Sequence, residues 1–278
     1  MKLVGLAIYP LKSGAGIALD RWPLVPTGLV CDRRFMLVDA AGDFVTLRGH
    51  PKLVTVRARL VGADPASPGS PTCETATFEH DALGGLVVPL SDVDPAGRRT
   101  LEVQIWGTYV VATHVSDEAD RWFSTLLGKD VHLVRFDEPV RRQVDPRYAR
   151  PGDSVHFADE FPLLVMATAS LDALSAELGR PVAMERFRPN LVVATDEPFV
   201  EDRWRAIRVG DVRIDLVKPC ARCVGVNVEP GTGRATKEPL ATLARMRTRD
   251  HKVYLGQNGV HRGVGLLSLG DDVVVVEA

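Results

Sequence analysis

Three of the four Gly-Asp steps in this chain, Gly42-Asp43, Gly210-Asp211 and Gly270-Asp271, interrupt or precede short apolar runs. Glycine reaches the positive φ that a tight turn demands, and aspartate tolerates the same backbone region. RFMLV leads into the first turn and FVTL leaves it; AIRV and VRIDLV flank the second; VVVV follows the third. Runs this short, rich in β-branched residues and bounded by turns, are strands, and such a chain folds as a set of antiparallel hairpins. Lys2–Ile8, the alternating stretch 54–60, the pair around Gly107 within 101–115, VHLVRF, FPLLVMA, the segment after Pro189 and a hairpin in VGVNVEPGTGRA extend the pattern.

Helices are few. Ser116 predicts an N-cap, with Asp117 and Glu118 in the electropositive first turn and Gly128 at the C-terminal cap. SLDALSAELGR reads as a helix capped by Ser170 and ended by Gly179, and KEPLATLARMR as another. Many short strands with peripheral helices predict an α+β, β-rich fold with a β-barrel-like core. VGADPASPGSPTCE is a Pro/Gly/Ser-rich loop. Residues 137–160 are polar and aperiodic over a length uncommon for a loop, which marks a lid or a domain junction. The division is expected between 1–130 and 131–278.

Composition excludes several function classes. The chain of 278 residues is 45% hydrophobic and 25% charged, with a formal net charge of −2, so no basic surplus suggests nucleic-acid binding. The first apolar run is too short for a membrane span and is broken by Pro10, and no signal-peptide cleavage site follows it. A cytoplasmic protein is expected, with no membrane association and no structural disulfides. Of the four cysteines, Cys220 and Cys223 form one close pair, but Cys31 and Cys73 lie far apart in sequence, so a second zinc-binding pair is missing. Iron–sulfur cysteine runs are absent too.

KPCARC, residues 218–223, therefore poses a question. Cys223 follows a proline-containing turn and Arg222, and a neighbouring guanidinium favours the anionic, metal-binding form of a thiol. Cys223 reads as a candidate soft metal ligand or as a small buried residue, since free cysteines are often buried. YPLKSG offers Lys12 and Ser13 as donors to an anion, or is a solvated turn. In CDRRF, strand alternation sends Arg33 and Arg34 to opposite faces, so at most one enters any pocket. In RFRPN, Arg186 and Arg188 fall on one face if extended; a guanidinium grips phosphate in bidentate fashion, and the Asn190 amide suits a heterocycle edge. Each arginine alone is more often a surface residue.

Taken together and in order, YPLKS, DRRF, FRPN and CARC followed by VNVEPGTG resemble the MOSC-domain family over nearly the whole chain, most closely its amidoxime-reducing-component type, in which an N-terminal MOSC-associated β-barrel domain precedes the MOSC domain. The resemblance implies a molybdenum cofactor of the Mo-molybdopterin type, with Cys223 as the metal's protein ligand and catalytic thiolate. It carries cofactor contacts over to Lys12, Ser13, Arg34, Arg188, Asn190, Ala221, Arg222 and Cys223. Ala221 stands where relatives often have serine, which leaves a backbone contact at most. Cys220 is expected to be a small buried residue and not a ligand. The implied activity is a molybdenum-dependent reduction of N-hydroxylated or N-oxide-type small molecules, an oxidoreductase fed by a separate electron-transfer protein (ferredoxin-like, or cytochrome b5-like with its reductase). The alternatives are a sulfur-transfer protein carrying a persulfide on Cys223 and a non-catalytic cofactor carrier.

Overall fold

A computed structural model describes residues 1–62, 73–91 and 97–278; the loop read in VGADPASPGSPTCE lies mostly outside the described residues. The fold is α+β and β-rich. Its largest sheet has nine strands, running from Ile17–Ala18 through Leu3–Ile8, Leu191–Val193, Leu163–Ala167, Lys252–His261, Val212–Arg222 and Ala206–Val209 to Val273–Glu277, with Thr248–Arg249 paired off this path. A five-stranded sheet holds Thr100–Ile105, Thr108–His114, His132–Arg135, Phe35–Val38 and Phe44–Val45, and two three-stranded sheets complete the β structure among the described residues. The two halves of the chain interlock. The first strand, Leu3–Ile8, pairs antiparallel with Leu191–Val193 in the second-half sheet, and His132–Arg135 pairs with Phe35–Val38 of the first half.

The hairpins predicted at Gly42-Asp43, Gly107 and Gly210-Asp211 form with those turns. The last Gly-Asp step behaves differently. Gly265–Ser268 and Val273–Glu277 flank it but pair with separate partners, Arg21–Val25 and Ala206–Val209. The alternation at 54–60 also misleads: residues Pro51–Thr55 form a 3₁₀ turn that buries Leu53 and Val54, and the strand begins at Arg57. A short 3₁₀ segment, Val224–Asn227, replaces the first arm of the hairpin read in VGVNVEPGTGRA, leaving one bridge between Val228 and Ala235.

Helix α1, Asp117–Leu127, follows its sequence signals: Ser116 Oγ accepts from Ala119 N at 3.1 Å, and Gly128 ends the helix at φ 64°. It buries Ala119, Phe123 and Leu126. Phe123 packs edge-on against Phe78, which packs edge-on against Phe35, with ring centroids 5.7 and 5.4 Å apart. Burying each such ring stabilises the fold by about 2–3 kcal/mol. Helix α2, Thr168–Leu178, ends at Gly179 as read, but Ser170 is not its cap. Ser170 lies within the helix, donates to Glu201 Oε2 at 2.7 Å and accepts from Phe199 N at 2.7 Å. Helix α3 spans Leu240–Arg247. No helix among the described residues is long and apolar enough to cross a membrane.

Candidate functional site

The strand Val212–Arg222 is regular until two register shifts against Lys252–His261, one between Leu216 and Lys218 and one between Pro219 and Ala221. Bulges re-aim side chains and tolerate proline where a regular ladder does not. Here they turn Cys220, Ala221, Arg222 and Cys223 together into one cavity of about 180 Å³. Cys223 stands just past the end of this strand, before the 3₁₀ segment that follows.

Both halves of the chain build the cavity. Lys12 and Ser13 come from the turn after the first strand, Arg33 from the approach to the next hairpin, and Arg48 from the loop beyond it. Asp159 and Glu160 close the long polar segment, and Arg186, Arg188 and Asn190 precede the strand Leu191–Val193. Of the residues singled out in sequence, all line this cavity except Arg34. The Arg34 guanidinium instead donates to Asp137 Oδ1 at 2.8 Å. Its neighbour Arg33 enters the cavity, as expected if only one of the two does.

Three lining residues that are not glycine adopt left-handed backbone: Ser13 at φ 73°, Arg33 at 45° and Arg188 at 56°. Such conformations cost on the order of 1 kcal/mol or more each and gather at functional sites. Arg186 and Arg188 therefore reach the cavity from a 3₁₀ turn and a left-handed residue, not from an extended segment.

Six cationic side chains, Lys12, Arg33, Arg48, Arg186, Arg188 and Arg222, face two carboxylates, Asp159 and Glu160. Lys12, Arg33 and Arg186 are paired with Asp159, Asp32 and Glu229, whereas Arg188 and Arg222 are held by backbone carbonyls, which orient a guanidinium without neutralising it. Arg222 donates to Leu255 O at 2.8 Å and Phe187 O at 2.9 Å, which commits its guanidinium to backbone acceptors. Arg188 donates to Gly14 O at 2.5 Å, while its Nη2 is buried with no hydrogen-bond partner. Arg33 and Arg188 stack over the Tyr9 ring, each 4.3 Å from its centroid. Burial, and secondarily the Arg33 charge, bring Arg188 down to about 10, so it is a cation at neutral pH. Burial pushes the Tyr9 hydroxyl up to about 12, against the pull of both arginines, and it donates to Pro189 O at 3.1 Å.

Lys12 is buried and donates to Phe157 O at 2.9 Å and to the Asp159 carboxylate. Burial lowers its pKa and Asp159 opposes that shift. The Asp159 side chain is 61% exposed; desolvation by the surrounding wall works against its charged form, but Lys12 and the Trp106 indole N–H, 3.1 Å away, hold its carboxyl well below the usual range. Asn190 spends its amide on the fold: Nδ2 donates to Ala7 O at 3.1 Å, and Oδ1 accepts from Leu164 N and from Arg33, both at 3.2 Å. It orients Arg33 and ties two strands together, which is a different task from reading a heterocycle edge.

The end of the long polar segment is pinned. Buried Arg142 donates to His156 O, Ala158 O and Asp159 O at 2.9, 2.6 and 2.8 Å, which fixes the carbonyl run beside the cavity. Cys220 is half-buried in the cavity wall, not in the core, and burial raises its thiol pKa. Cys223 is exposed, with Arg48 Nη1 3.8 Å from its Sγ. Cys31 and Cys73 are neighbours in the fold despite their separation in sequence, and Cys73 and burial together raise the Cys31 thiol pKa, but neither cysteine lines the cavity.

Sequence reasoning missed Arg48, Asp159 and Tyr9. Tyr9 belongs to YPLKS and was within reach; Asp159 lies at the end of the aperiodic stretch 137–160 already marked as a lid or junction, though nothing singled out that residue; Arg48 sits in a loop with no local signal and becomes a neighbour of the site only through topology.

Comparison with known proteins matches residues 1–130 to the MOSC N-terminal beta barrel domain and residues 152–274 to the MOSC domain. The mouse protein named mitochondrial amidoxime-reducing component 1 is 30% identical over 291 residues, covering 98% of this chain and 81% of the relative. The rat mitochondrial amidoxime reducing component 2 is 31% identical over 286 residues, covering 96% and 80%. The rice molybdenum cofactor sulfurase is 29% identical over 271 residues, covering 91% of this chain but 32% of the relative, so the chain spans about a third of that protein.

Proposed function

This chain belongs to the MOSC-domain family, in the arrangement where a MOSC N-terminal β-barrel domain precedes the MOSC domain, and on that premise we propose that its cavity holds a molybdenum–pterin cofactor and serves the reduction of N-hydroxylated or N-oxide-type small molecules. The observation that carries the reading is one exposed thiol, Cys223, at the rim of a cationic wall in which Arg188 Nη2 is buried without a partner. A pterin that ends in a phosphate needs cations not already neutralised by the protein, and a redox metal of this kind takes a soft thiolate. The donor set fits both needs.

In this reading Cys223 ligates the metal, while Arg188 and Ser13 receive the phosphate end, with Lys12 and Arg33, already paired with Asp159 and Asp32, beside them. Ala221 and Arg222 shape the wall between, Arg222 through its two carbonyl contacts. When bound, the cofactor supplies a metal that accepts oxygen from an N–O bond and cycles by two electrons. The chain's own residues bind, orient and limit water. Asp159, held as a carboxylate by Lys12 and Trp106, is ionised at neutral pH and so is not a proton donor. Electrons come from a separate ferredoxin-like or cytochrome b5-like protein and its reductase. A free, exposed Cys223 thiol suits a reducing compartment such as the cytoplasm.

The test is metal and pterin analysis of protein made in a cofactor-competent host, with turnover of benzamidoxime or a hydroxylaminopurine driven by reduced viologen dye. Wild type should carry about one molybdenum per chain and turn over, and Cys223→Ser should do neither. Metal-free wild type with a persulfide mass on Cys223 would favour sulfur transfer, and retained metal without turnover would favour a carrier.

A further inference from the structure

Away from the cavity, the first half of the chain brings two histidines and an aspartate together where α1 crosses two strands. His114 closes the strand Thr108–His114, His132 opens His132–Arg135, and Asp120 lies in the first turn of α1. Asp120 Oδ2 is 2.8 Å from His114 Nε2 and 2.6 Å from His132 Nδ1. Asp120 Oδ1 accepts from Leu133 N at 2.9 Å, which fixes the carboxylate so that its other oxygen faces both rings. The three donor atoms lie within 4.8 Å of one another. One turn back, Asp117 Oδ1 is 3.9 Å from His114 Nε2.

We propose that His114, His132 and Asp120 form a binding site for a divalent transition metal of the zinc class, with Asp117 or water completing its shell. Imidazole and carboxylate are the ligands zinc takes, at about 2.0–2.2 Å, which sets tetrahedral donors roughly 3.3 Å apart. The present contacts are shorter than that, so the donors separate by about half an ångström to admit the ion, within the reach of small rotamer changes. Each imidazole offers its inward nitrogen as a lone pair by carrying its proton on the outer nitrogen, and stays neutral. Asp120 and Asp117 balance the ion's charge, and the Leu133 N–H supports the ligating carboxylate from behind. His114 is buried, whereas the His132 side chain is 32% exposed and Asp117 76%, so the ion has a way in from solvent. None of these residues lines the cavity, so the site stands independently of the proposed reductase activity.

The test uses the full chain, stripped with chelator and titrated with Co²⁺ and then Zn²⁺. One Co²⁺ per chain should give visible ligand-field bands without the intense near-ultraviolet band of a cobalt–thiolate bond, and Zn²⁺ should displace it. His132→Gln, at a partly exposed position, should abolish the bands while keeping the metal-free melting temperature of wild type. Absence of bands in excess Co²⁺ would overturn the proposal and leave a hydrogen-bonded node. So would unchanged binding in His132→Gln, or a thiolate band assigning the metal to cysteine.

Discussion

Arg48 Nη1 and Cys223 Sγ stand 3.8 Å apart although 175 residues separate them in the chain. The Arg48 guanidinium also lies 4.6 Å from the Trp106 ring centroid, so the stack that carries it belongs to the first half while the sulfur belongs to the second. Arg222, adjacent to Cys223 in sequence, spends its guanidinium on interior carbonyls. The cation that serves the sulfur is therefore supplied by tertiary structure. Arg48→Ala should lower dye-driven turnover about ten-fold, equivalent to ~1.4 kcal/mol of transition-state stabilisation. Its effect on folding should stay within about 1 kcal/mol, the size of an exposed cation–π contact. Trp106 emission should shift as the stack is lost. Wild-type turnover in Arg48→Ala would show that this cation has no role at the sulfur.

Arg188 is expected to trade stability for binding. Its Nη2 is buried and unpartnered, Arg33 stands near as a like charge, and its backbone sits at φ 56°. Each feature costs free energy in the cofactor-free protein. Arg188→Gly removes the buried cation and relaxes the left-handed backbone. The cofactor-free variant should melt no lower than wild type, whereas pterin content should fall at least about ten-fold, in line with ~1.5–3 kcal/mol for a charge-assisted contact. A lower melting temperature with unchanged pterin content would make Arg188 a structural residue.

His156 predicts a pH dependence of stability. Its ring packs against Phe136, its Nδ1 lies 3.3 Å from Asp32 O, Arg34 and Arg141 face it as cations, and Asp137 faces it as an anion. Burial first, and Arg34 second, lower it to about 4. The unfolded chain takes up this proton near pH 6.5 and the folded chain only near pH 4, so stability falls as pH drops through that window and this contribution levels below it. The loss from this group is about 3 kcal/mol over the window. Urea titrations at pH 7 and pH 4.5 should show it, and His156→Gln should flatten the difference. An equal slope in the variant would assign the acid sensitivity to other groups.

Much of this architecture was legible in local sequence because the signals are local. Ser116 and Gly128 bracket α1 through capping geometry, and Gly42-Asp43 and Gly210-Asp211 make turns that any neighbouring strands would use. What stayed hidden depends on distant partners. The strand Lys252–His261, central in the nine-stranded sheet, carries Gly256, Gln257, Asn258 and Gly259 in its middle and shows no apolar periodicity. Burial there is imposed by neighbours: Gln257 is buried and donates to Asp202 Oδ1 at 2.8 Å. Likewise Lys12, Arg188 and Cys223 carried their chemistry in their own motifs, but which of Arg33 and Arg34 enters the cavity was settled by the left-handed turn at Arg33.

Gly256 should be intolerant of any side chain. Its φ is 77°, and a Cβ would lie 2.7 Å from Met166 Cγ and 2.8 Å from Val165 O, closer than atoms can approach. It would also come within 3.4 Å of Arg222 Nη2. Gly256→Ala combines backbone strain with overpacking and should destabilise the protein by at least about 2 kcal/mol in urea denaturation. The displaced Arg222 wall should lower cofactor content as well. A loss below about 0.5 kcal/mol would mean that the two strands part more easily here than their packing implies.

Cys220 and Cys223 line the same cavity and are separated in what solvent can reach. Cys223 is exposed beside Arg48, whereas burial raises the Cys220 thiol and keeps it neutral near pH 7. Thiol alkylation follows the anionic fraction and access together. In cofactor-free protein at pH 7.5, iodoacetamide should modify Cys223 first and Cys220 at least about ten-fold more slowly, as read by peptide mass spectrometry. Loading with cofactor should protect Cys223 if its sulfur holds the metal. Cys220→Ser should retain most activity, because that side chain contributes wall and no ligand. Faster labelling of Cys220, or a dead Cys220→Ser beside an active Cys223→Ser, would move the metal ligand to the other cysteine.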